Sequence, residues 1–285
     1  MTLAESIKQY KVQFALMFLL LTALYSSIVP SMVIQWYKDA NYSHGFLVPV
    51  IAGYFLYNRL DDLNKTKIMP SNWGFALIVF SLCQLIIGWL GMEYFTMRSS
   101  LVLLIAGIVI CFFGMDAFRV ARLPIAYLLF MVPIPSIIYD SIAFPLKLFV
   151  TKVSVGALKA IGVVVMREGN IIMFPATTLE VADACSGIRS LISLLAMAVA
   201  YACFMNTSNT RRWLIIALAV PIAIFTNALR VFVTGILAQY WGEKAAEGFF
   251  HEFAGFAVFG LAMVMLIGIG ALLRKTGDRE PGTRD

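Results

Sequence analysis

A single cysteine outside the apolar runs is the first residue of this chain that could do chemistry. Cys185 lies in the polar stretch Asp183-Ala184-Cys185-Ser186-Gly187, and an apolar helix is predicted to begin directly after it. The free N–H groups of a helix N-terminus favour a thiolate, and Ser186 and Gly187 leave room for a substrate carbonyl. We therefore predict a nucleophilic thiol, against the alternative of an inert small residue at a helix start. The remaining cysteines lie inside apolar runs and are expected to act as small apolar side chains: Cys83, Cys111 and Cys203.

A polar stripe on a later apolar run could complete such a site. Asn227, Arg230 and Thr234 recur at three- and four-residue spacing, which places them on one face of a helix. Polar stripes on membrane spans usually face the protein interior or a wet cavity. A guanidinium in that position could stabilise an oxyanion or hold a peptide carboxylate. The alternative is an arginine that only reaches toward the membrane interface.

The chain has two histidines, and each could assist a thiol. His251 opens the last apolar run, and histidine is the usual base or ion-pair partner of a nucleophilic cysteine. His44, in Tyr42-Ser43-His44-Gly45, is a rival base or a residue of a substrate groove. His251-Glu252 does not begin a zinc motif, because position 255 is glycine where a helical HExxH motif needs a second histidine. We predict no metal and no cofactor.

The composition indicates a membrane protein. Hydrophobic residues make up 61% of the 285 positions and charged residues 13%, whereas soluble domains are near half apolar and a quarter charged. A mean hydropathy of +0.86 agrees. The net charge of +6 does not indicate a nucleic-acid partner, because the basic residues lie in short loops between apolar runs. The expected surroundings are membrane lipid.

The apolar runs predict an all-α polytopic protein with about eight transmembrane helices. Residues 141–165 carry three lysines, so we predict a helix that lies in the outer interface or is partly re-entrant; if it spans, another span is wrong. Residues 167–181 contain two short β-prone runs around a turn, which predicts a small extracytoplasmic hairpin before Cys185. The predicted spans are 12–36, 43–58, 73–93, 99–115, 122–139, 187–205, 213–237 and 251–273.

Loop charges orient these spans. With eight spans, five groups of basic residues fall on one side, which the positive-inside rule assigns to the cytoplasm. Arg230 then lies 17 residues along an outward-running span that starts at Trp213, or about 25 Å, near the outer edge of the apolar layer. Cys185 and His251 lie at the outer ends of their spans. The three reactive residues are therefore predicted to meet at the outer face.

The ordered set of motifs resembles the exosortase/archaeosortase family. The resemblance extends over the membrane core, residues 12–273. We predict one integral-membrane domain, residues 1–273, followed by a polar cytoplasmic tail, residues 274–285. The motifs are Tyr42-Ser43-His44-Gly45-Phe46-Leu47-Val48-Pro49, Asp183-Ala184-Cys185-Ser186-Gly187-Ile188-Arg189-Ser190-Leu191, Asn227-Ala228-Leu229-Arg230, and His251 with Gly255 beyond.

The resemblance implies a membrane-embedded cysteine transpeptidase or protease of the bacterial inner membrane, with its active site at the extracytoplasmic face. Cys185 would be the nucleophile, and Arg230 and His251 would complete the site. The substrates would be exported proteins that end in a Pro-Glu-Pro-type motif, an apolar span and a basic tail, passed to an acceptor nucleophile whose identity the resemblance leaves open. In bacteria such enzymes accompany extracellular polysaccharide synthesis. Residues expected to bind substrate or support the site are Asp183, Ser186, Gly187, Arg189, Asn227 and His44.

Two other function classes remain open at this point. A polytopic transporter would explain the spans and an arginine within the membrane, although transporters usually show repeats or broken helices around a midplane site. A thiol-dependent membrane assembly factor would use Cys185, although such factors usually need a second nearby cysteine. Cleavage of a reporter substrate in cells separates these classes from a peptidase.

Overall fold

A computed structural model of the chain describes residues 10–175, 177–181, 187–205, 207–242 and 249–277. The described residues are mostly helical, at 82%. Within these ranges, five helices are long and apolar enough to cross a membrane, or six if one bent pair forms a single span. The all-α polytopic class is therefore confirmed, whereas the count of eight spans is not. The chain divides into two compact units, residues 1–135 and residues 136–285.

The regular secondary structure of the first unit is helical throughout its described residues. Its first predicted span, 12–36, is broken into two helices that meet at an angle of 58°. The predicted span 43–58 is a 3-10 helix followed by a helix of 11 residues, which is too short to cross a bilayer alone. The helices are α1 Lys11–Leu24, α2 Ile28–Lys38, a 3-10 helix Ala40–Phe46, α3 Leu47–Tyr57, α4 Leu60–Lys65, α5 Asn72–Leu90, α6 Tyr94–Tyr127 and a 3-10 helix Leu128–Met131.

Helix α6 folds back on itself at Gly114. The guanidinium of Arg98 contacts Gln35, and the indole of the adjacent Trp36 donates a hydrogen bond to the carbonyl of Met131 at 2.9 Å. A straight helix would separate residues 98 and 131 by about 50 Å. The two arms must therefore run in opposite directions.

The turn at Gly114 requires glycine. Gly114 has φ +89°, in the left-handed region, and a Cβ there would collide with the carbonyl oxygen of Met69. The turn separates most of the predicted span 99–115 from the predicted span 122–139. The second of those spans ends earlier than predicted, because Pro133 and Pro135 interrupt the helix and a new helix begins at Ser136.

The second unit contains four helices and a small sheet over its described residues. Helix α7 has the length and composition of a membrane span, and its predicted place in the outer interface stays a prediction. Helix α8 has 17 residues, fewer than the predicted span 187–205. The elements are α7 Ser136–Ala160, β1 Met166–Glu168, β2 Ile171–Met173, β3 Thr178–Glu180, α8 Ile188–Phe204, α9 Asn209–Trp241 and α10 Phe249–Gly277.

The predicted hairpin is present and carries a third strand. Strands β2 and β3 pair in antiparallel register around the predicted turn, where the N–H of Phe174 donates to the carbonyl of Thr177 at 2.8 Å. Strand β1 adds to the other edge of β2 across Gly169, which has φ +60°. One face of the sheet buries Ile172, Phe174 and Val181 against α7 and α9. The sheet thus ties the chain that leads to Asp183 and Cys185 to those two helices.

Candidate active site

Gly187 brings the start of helix α8 into direct contact with helix α9. Its φ of +83° favours glycine, and a Cβ there would lie 2.6 Å from Nδ2 of Asn227 and 2.7 Å from its Cγ. The Asn227 side chain is 1% exposed, so this contact is buried. Asp183, Cys185 and Ser186, which directly precede Gly187 in the chain, lie outside the described residues.

The polar stripe of helix α9 lies on a side that is largely buried. Asn227 and Thr234 are buried, and Arg230 between them is half-buried. The hydroxyl of Ser154 in α7 donates to the carbonyl of Ala228 at 3.0 Å, which fixes α7 beside Asn227. The stripe therefore faces other elements of the second unit.

The guanidinium of Arg230 lies against helix α10 at Gly255. A Cβ on Gly255 would be 3.6 Å from Nη2 and 3.8 Å from Cζ of Arg230. His251 belongs to the same helix, and residues four apart lie on one helical face, so its position is one turn from this contact. The His251 side chain lies outside the described part of the chain. Arg189, in the first turn of α8, is half-buried.

Four of the described residues thus converge within the second unit: Gly187, Asn227, Arg230 and Gly255. They come from three helices. Arg230 is itself a predicted catalytic residue, Cys185 precedes Gly187 by two residues, and His251 precedes Gly255 by four. An amide and a guanidinium beside a glycine-rich backbone can hold a carbonyl oxygen that gains negative charge. The sequence analysis treated Gly255 only as part of a motif, and its role in leaving space for Arg230 could not be read from spacing.

His44 belongs to the first unit, where it joins the 3-10 helix Ala40–Phe46 to the 3-10 helix Leu128–Met131. Its Nε2 lies 3.2 Å from the carbonyl oxygen of Phe130, and the hydroxyl of Tyr42 donates to the carbonyl of Ile134 at 3.2 Å. Gly45 packs against the indole of Trp36, where a Cβ would approach Nε1 to 2.5 Å. The Tyr42-Ser43-His44-Gly45 motif therefore has a structural role in its own unit.

We expect His44 to make folding stability dependent on pH. Burial lowers the pKa of His44 below its ordinary value, while the carbonyls of Phe130 and Asn41 act in the opposite direction. The neutral imidazole is the form that the fold favours, so its stabilisation is full above the unfolded pKa of about 6.5 and is lost as the pH falls through the folded value. The melting temperature of the detergent-solubilised protein should fall as the pH is lowered from 7.5 to 5.5. The fall should be smaller in His44→Gln.

His251→Gln, which removes the other histidine, is the control for this pH series. This variant should retain the contribution of His44 to the pH dependence of the melting temperature. An unchanged pH dependence in His44→Gln would contradict the role assigned to His44.

Substitution of Gly187 should disrupt the site more than substitution of a nearby glycine. Gly187→Ala forces a side chain into the left-handed region and onto Asn227, which costs about 1–3 kcal/mol for the conformation alone. Displacement of the adjacent reactive segment by about 1 Å can cost on the order of 10²-fold in rate. We expect a loss of that size in substrate processing at matched membrane abundance.

Gly156→Ala is the matched control, because Gly156 lies within α7 and a Cβ there would have no neighbour within 4 Å. Alanine also has the higher helix propensity. Equal activity of the two variants would show that the Gly187–Asn227 contact does not shape the site.

Comparison with known families gives one match. The model of the family described as Transmembrane exosortase matches residues 36–268, a range that includes all the quoted motifs from Tyr42 to Gly255. No curated protein and no solved structure matches the chain. The match confirms the resemblance that the motifs predicted.

Proposed function

Because the chain belongs to the transmembrane exosortase family, we propose that it is a cysteine transpeptidase or peptidase that cleaves C-terminal sorting signals from exported proteins. The observation that carries this proposal is the convergence of Gly187, Asn227, Arg230 and Gly255 in one unit. The helices that hold these residues also carry, or directly follow, the predicted Cys185 and His251. A multi-pass membrane protein with such a site suits substrates that are themselves anchored by a span.

The proposed reaction is acyl transfer through a thioester. The Cys185 thiolate attacks the carbonyl carbon of the scissile peptide bond, and its electron pair forms the C–S bond. When the tetrahedral intermediate collapses, the C–N bond breaks and His251 donates a proton to the leaving amine. An acceptor nucleophile then attacks the thioester, releases the thiol and takes over the acyl group; with water as the acceptor, the product is a free carboxylate.

Arg230 is proposed to stabilise the oxyanion of the tetrahedral intermediate. Its half-buried guanidinium lies against α10 at Gly255, where no side chain separates the two. A planar, permanently charged donor acts strongly in a site with little water. Asn227, packed on Gly187, is proposed to hold the backbone that follows the nucleophile.

The proposed substrates are exported proteins that end in a Pro-Glu-Pro-type motif, an apolar span and a basic tail. The substrate span would dock in the bilayer beside the enzyme and present its motif at the interface. Loop charges support an active site at the extracytoplasmic face of a bacterial inner membrane. A connection to extracellular polysaccharide is part of the same proposal.

A reporter protein with such a tail, co-expressed with this chain, tests the proposal. We expect a shortened product whose new C-terminus, or whose acceptor linkage, maps by mass spectrometry to the motif, and no shortening when the motif is scrambled. A reporter that stays intact with abundant, correctly inserted enzyme would contradict a peptidase. That result would favour a transporter or a thiol-dependent assembly factor.

A further inference from the structure

The small sheet of the second unit has an edge strand on each side. Its strand order over the described residues is β1-β2-β3, so β2 is paired on both sides, whereas β1 and β3 each pair with β2 alone. The side of an edge strand that faces away from the sheet presents N–H and C=O groups on which another extended chain can pair. We call this side the outer edge, and the outer edges of β1 and β3 differ in what they present.

Strand β3 directs the backbone groups of two residues to its outer edge. The N–H of Val181, which follows β3, donates to the carbonyl of Asn170, which precedes β2, at 3.0 Å. Successive residues of a strand direct their N–H and C=O groups to opposite sides, so those of Thr178 and Glu180 point away from β2. Both residues are exposed. Within the described part of the chain, no hydrogen bond engages their backbone groups.

Strand β1 presents less to a second chain. Its register with β2 pairs Glu168 with Ile171 across the turn at Gly169, so only the middle residue, Arg167, directs its backbone groups to the outer edge. The guanidinium of Arg167 donates to the carbonyl of Leu148 in α7 at 3.2 Å, which holds this side of the sheet toward that helix. Strand β3 is therefore the edge that can pair with another chain along its length.

The chain that leaves β3 leads to the candidate active site. Val181 is 2% exposed and belongs to a buried cluster that also contains Ala228 of α9. Ala228 follows Asn227, and Asn227 contacts Gly187. Val181 precedes Cys185 by four residues, which is at most about 14 Å of chain. A peptide bound along β3 is therefore within a few residues' length of the proposed nucleophile.

We propose that β3 is a substrate-binding strand: the sorting motif lies along its outer edge as an added strand and exchanges backbone hydrogen bonds with Thr178 and Glu180. The inference rests on the proposed function. Main-chain hydrogen bonds of this kind supply affinity for an extended peptide, and the side chains on either side of the added strand supply specificity. The strand holds the peptide, and the chain that follows the strand carries the nucleophile.

A proline-flanked motif fits an edge that is open on one side. Proline has no N–H, so within a sheet it is confined to positions whose N–H side faces away from the partner strand. In an extended Pro-Glu-Pro segment both prolines face away from β3 when the central glutamate faces it. The glutamate then exchanges its own N–H and C=O with β3, and no donor on that side is missing.

Removal of the outward N–H of Glu180 tests the proposal. Glu180→Pro and Glu180→Ala both lose the carboxylate, but only the proline variant loses the N–H, and it breaks no bond to β2 because that N–H points outward. The assay is cleavage of the reporter by purified full-length enzyme over a range of reporter concentrations. We expect the KM of Glu180→Pro to be about fivefold that of Glu180→Ala at similar kcat, because one hydrogen bond to the bound substrate is lost.

The same pair of substitutions on the other edge strand is the matched control. Arg167→Pro and Arg167→Ala remove the outward N–H and the side chain of β1 in the same way. Their KM values should be equal. Equal melting temperatures of Glu180→Pro and Glu180→Ala without substrate would show that the sheet is intact, and equal KM values for that folded pair would overturn the proposal.

Photocrosslinking decides the question without a proline, and therefore also if Glu180→Pro does not fold. The photoreactive residue p-benzoylphenylalanine replaces either Thr178 on β3 or Glu168 on β1, both exposed, in the Cys185→Ala protein co-expressed with the reporter. We expect a crosslink to the motif of the reporter from position 178 and none from position 168, mapped by mass spectrometry. Absence of the crosslink from position 178 would overturn the proposal.

The crosslink forms without cleavage, so failure of this proposal and failure of the proposed function are distinguishable. A parent enzyme that leaves the reporter intact would contradict the proposed function, and the crosslink would still show whether the motif binds at β3. A parent that cleaves the reporter, combined with equal KM values for Glu180→Pro and Glu180→Ala, would contradict only the role of β3.

Discussion

Cys185→Ala should abolish processing of a sorting-signal reporter while leaving folded protein in the membrane. The substitution removes the only atom proposed to form a covalent bond with the substrate, and loss of one small side chain next to a helix start costs little packing. We expect cleavage to fall to the background of cells that lack the enzyme, measured as a time course of precursor loss at matched membrane abundance.

Cys185→Ser should be nearly as inactive, because a hydroxyl is a poor nucleophile without a stronger base. Cys203→Ala is the matched control, since Cys203 lies within helix α8 and belongs to the apolar part of the same unit. Its variant should process the reporter at close to the parent rate. Processing at a near-normal rate in Cys185→Ala would exclude the thioester mechanism.

Arg230→Lys should lower the rate of processing by about 10²–10³-fold. Lysine keeps the positive charge but loses the planar pair of donors, and removal of one oxyanion donor in other acyl-transfer enzymes has an effect of that size. The contact between the Arg230 guanidinium and Gly255 leaves a defined position for that plane. The measurement is the single-turnover rate of reporter cleavage in membranes.

Arg211→Lys provides the comparison for this prediction. Arg211 lies on the same helix, α9, near its other end, where the resemblance assigns no catalytic role. This variant should retain the parent rate. If Arg230→Lys also retained it, the arginine would be one that only reaches toward the interface, because either head group can do so.

Local patterns were sufficient to predict which residues form the polar stripe of helix α9. Asn227, Arg230 and Thr234 share one face because helical periodicity depends only on spacing, and the structure places all three on a buried or half-buried side of α9. The β2–β3 hairpin was likewise predicted from β-prone runs around a turn. The exosortase resemblance rested on short ordered motifs, and the family match confirms it.

The number and course of the helices could not be predicted in the same way. Apolar composition indicates that a segment can be buried, but it does not say where a helix bends or reverses. The reversal at Gly114 depends on the approach of Met69, and the break between α1 and α2 divides a run that is apolar throughout. The third strand, β1, exists because it pairs with β2.

The exposure of the three lysines shows the same division between sequence and structure. Sequence alone determined that residues 141–165 carry charges unsuited to lipid, and that the residue types at Cys185, Arg230 and His251 are ones that acyl transfer can use. Only the tertiary structure decided that Lys147 is buried while Lys152 and Lys159 are exposed, and that Gly187 meets Asn227 while Gly255 meets Arg230. The physical reason is that periodicity and charge are properties of neighbouring residues, whereas burial and close approach depend on segments far apart in the chain.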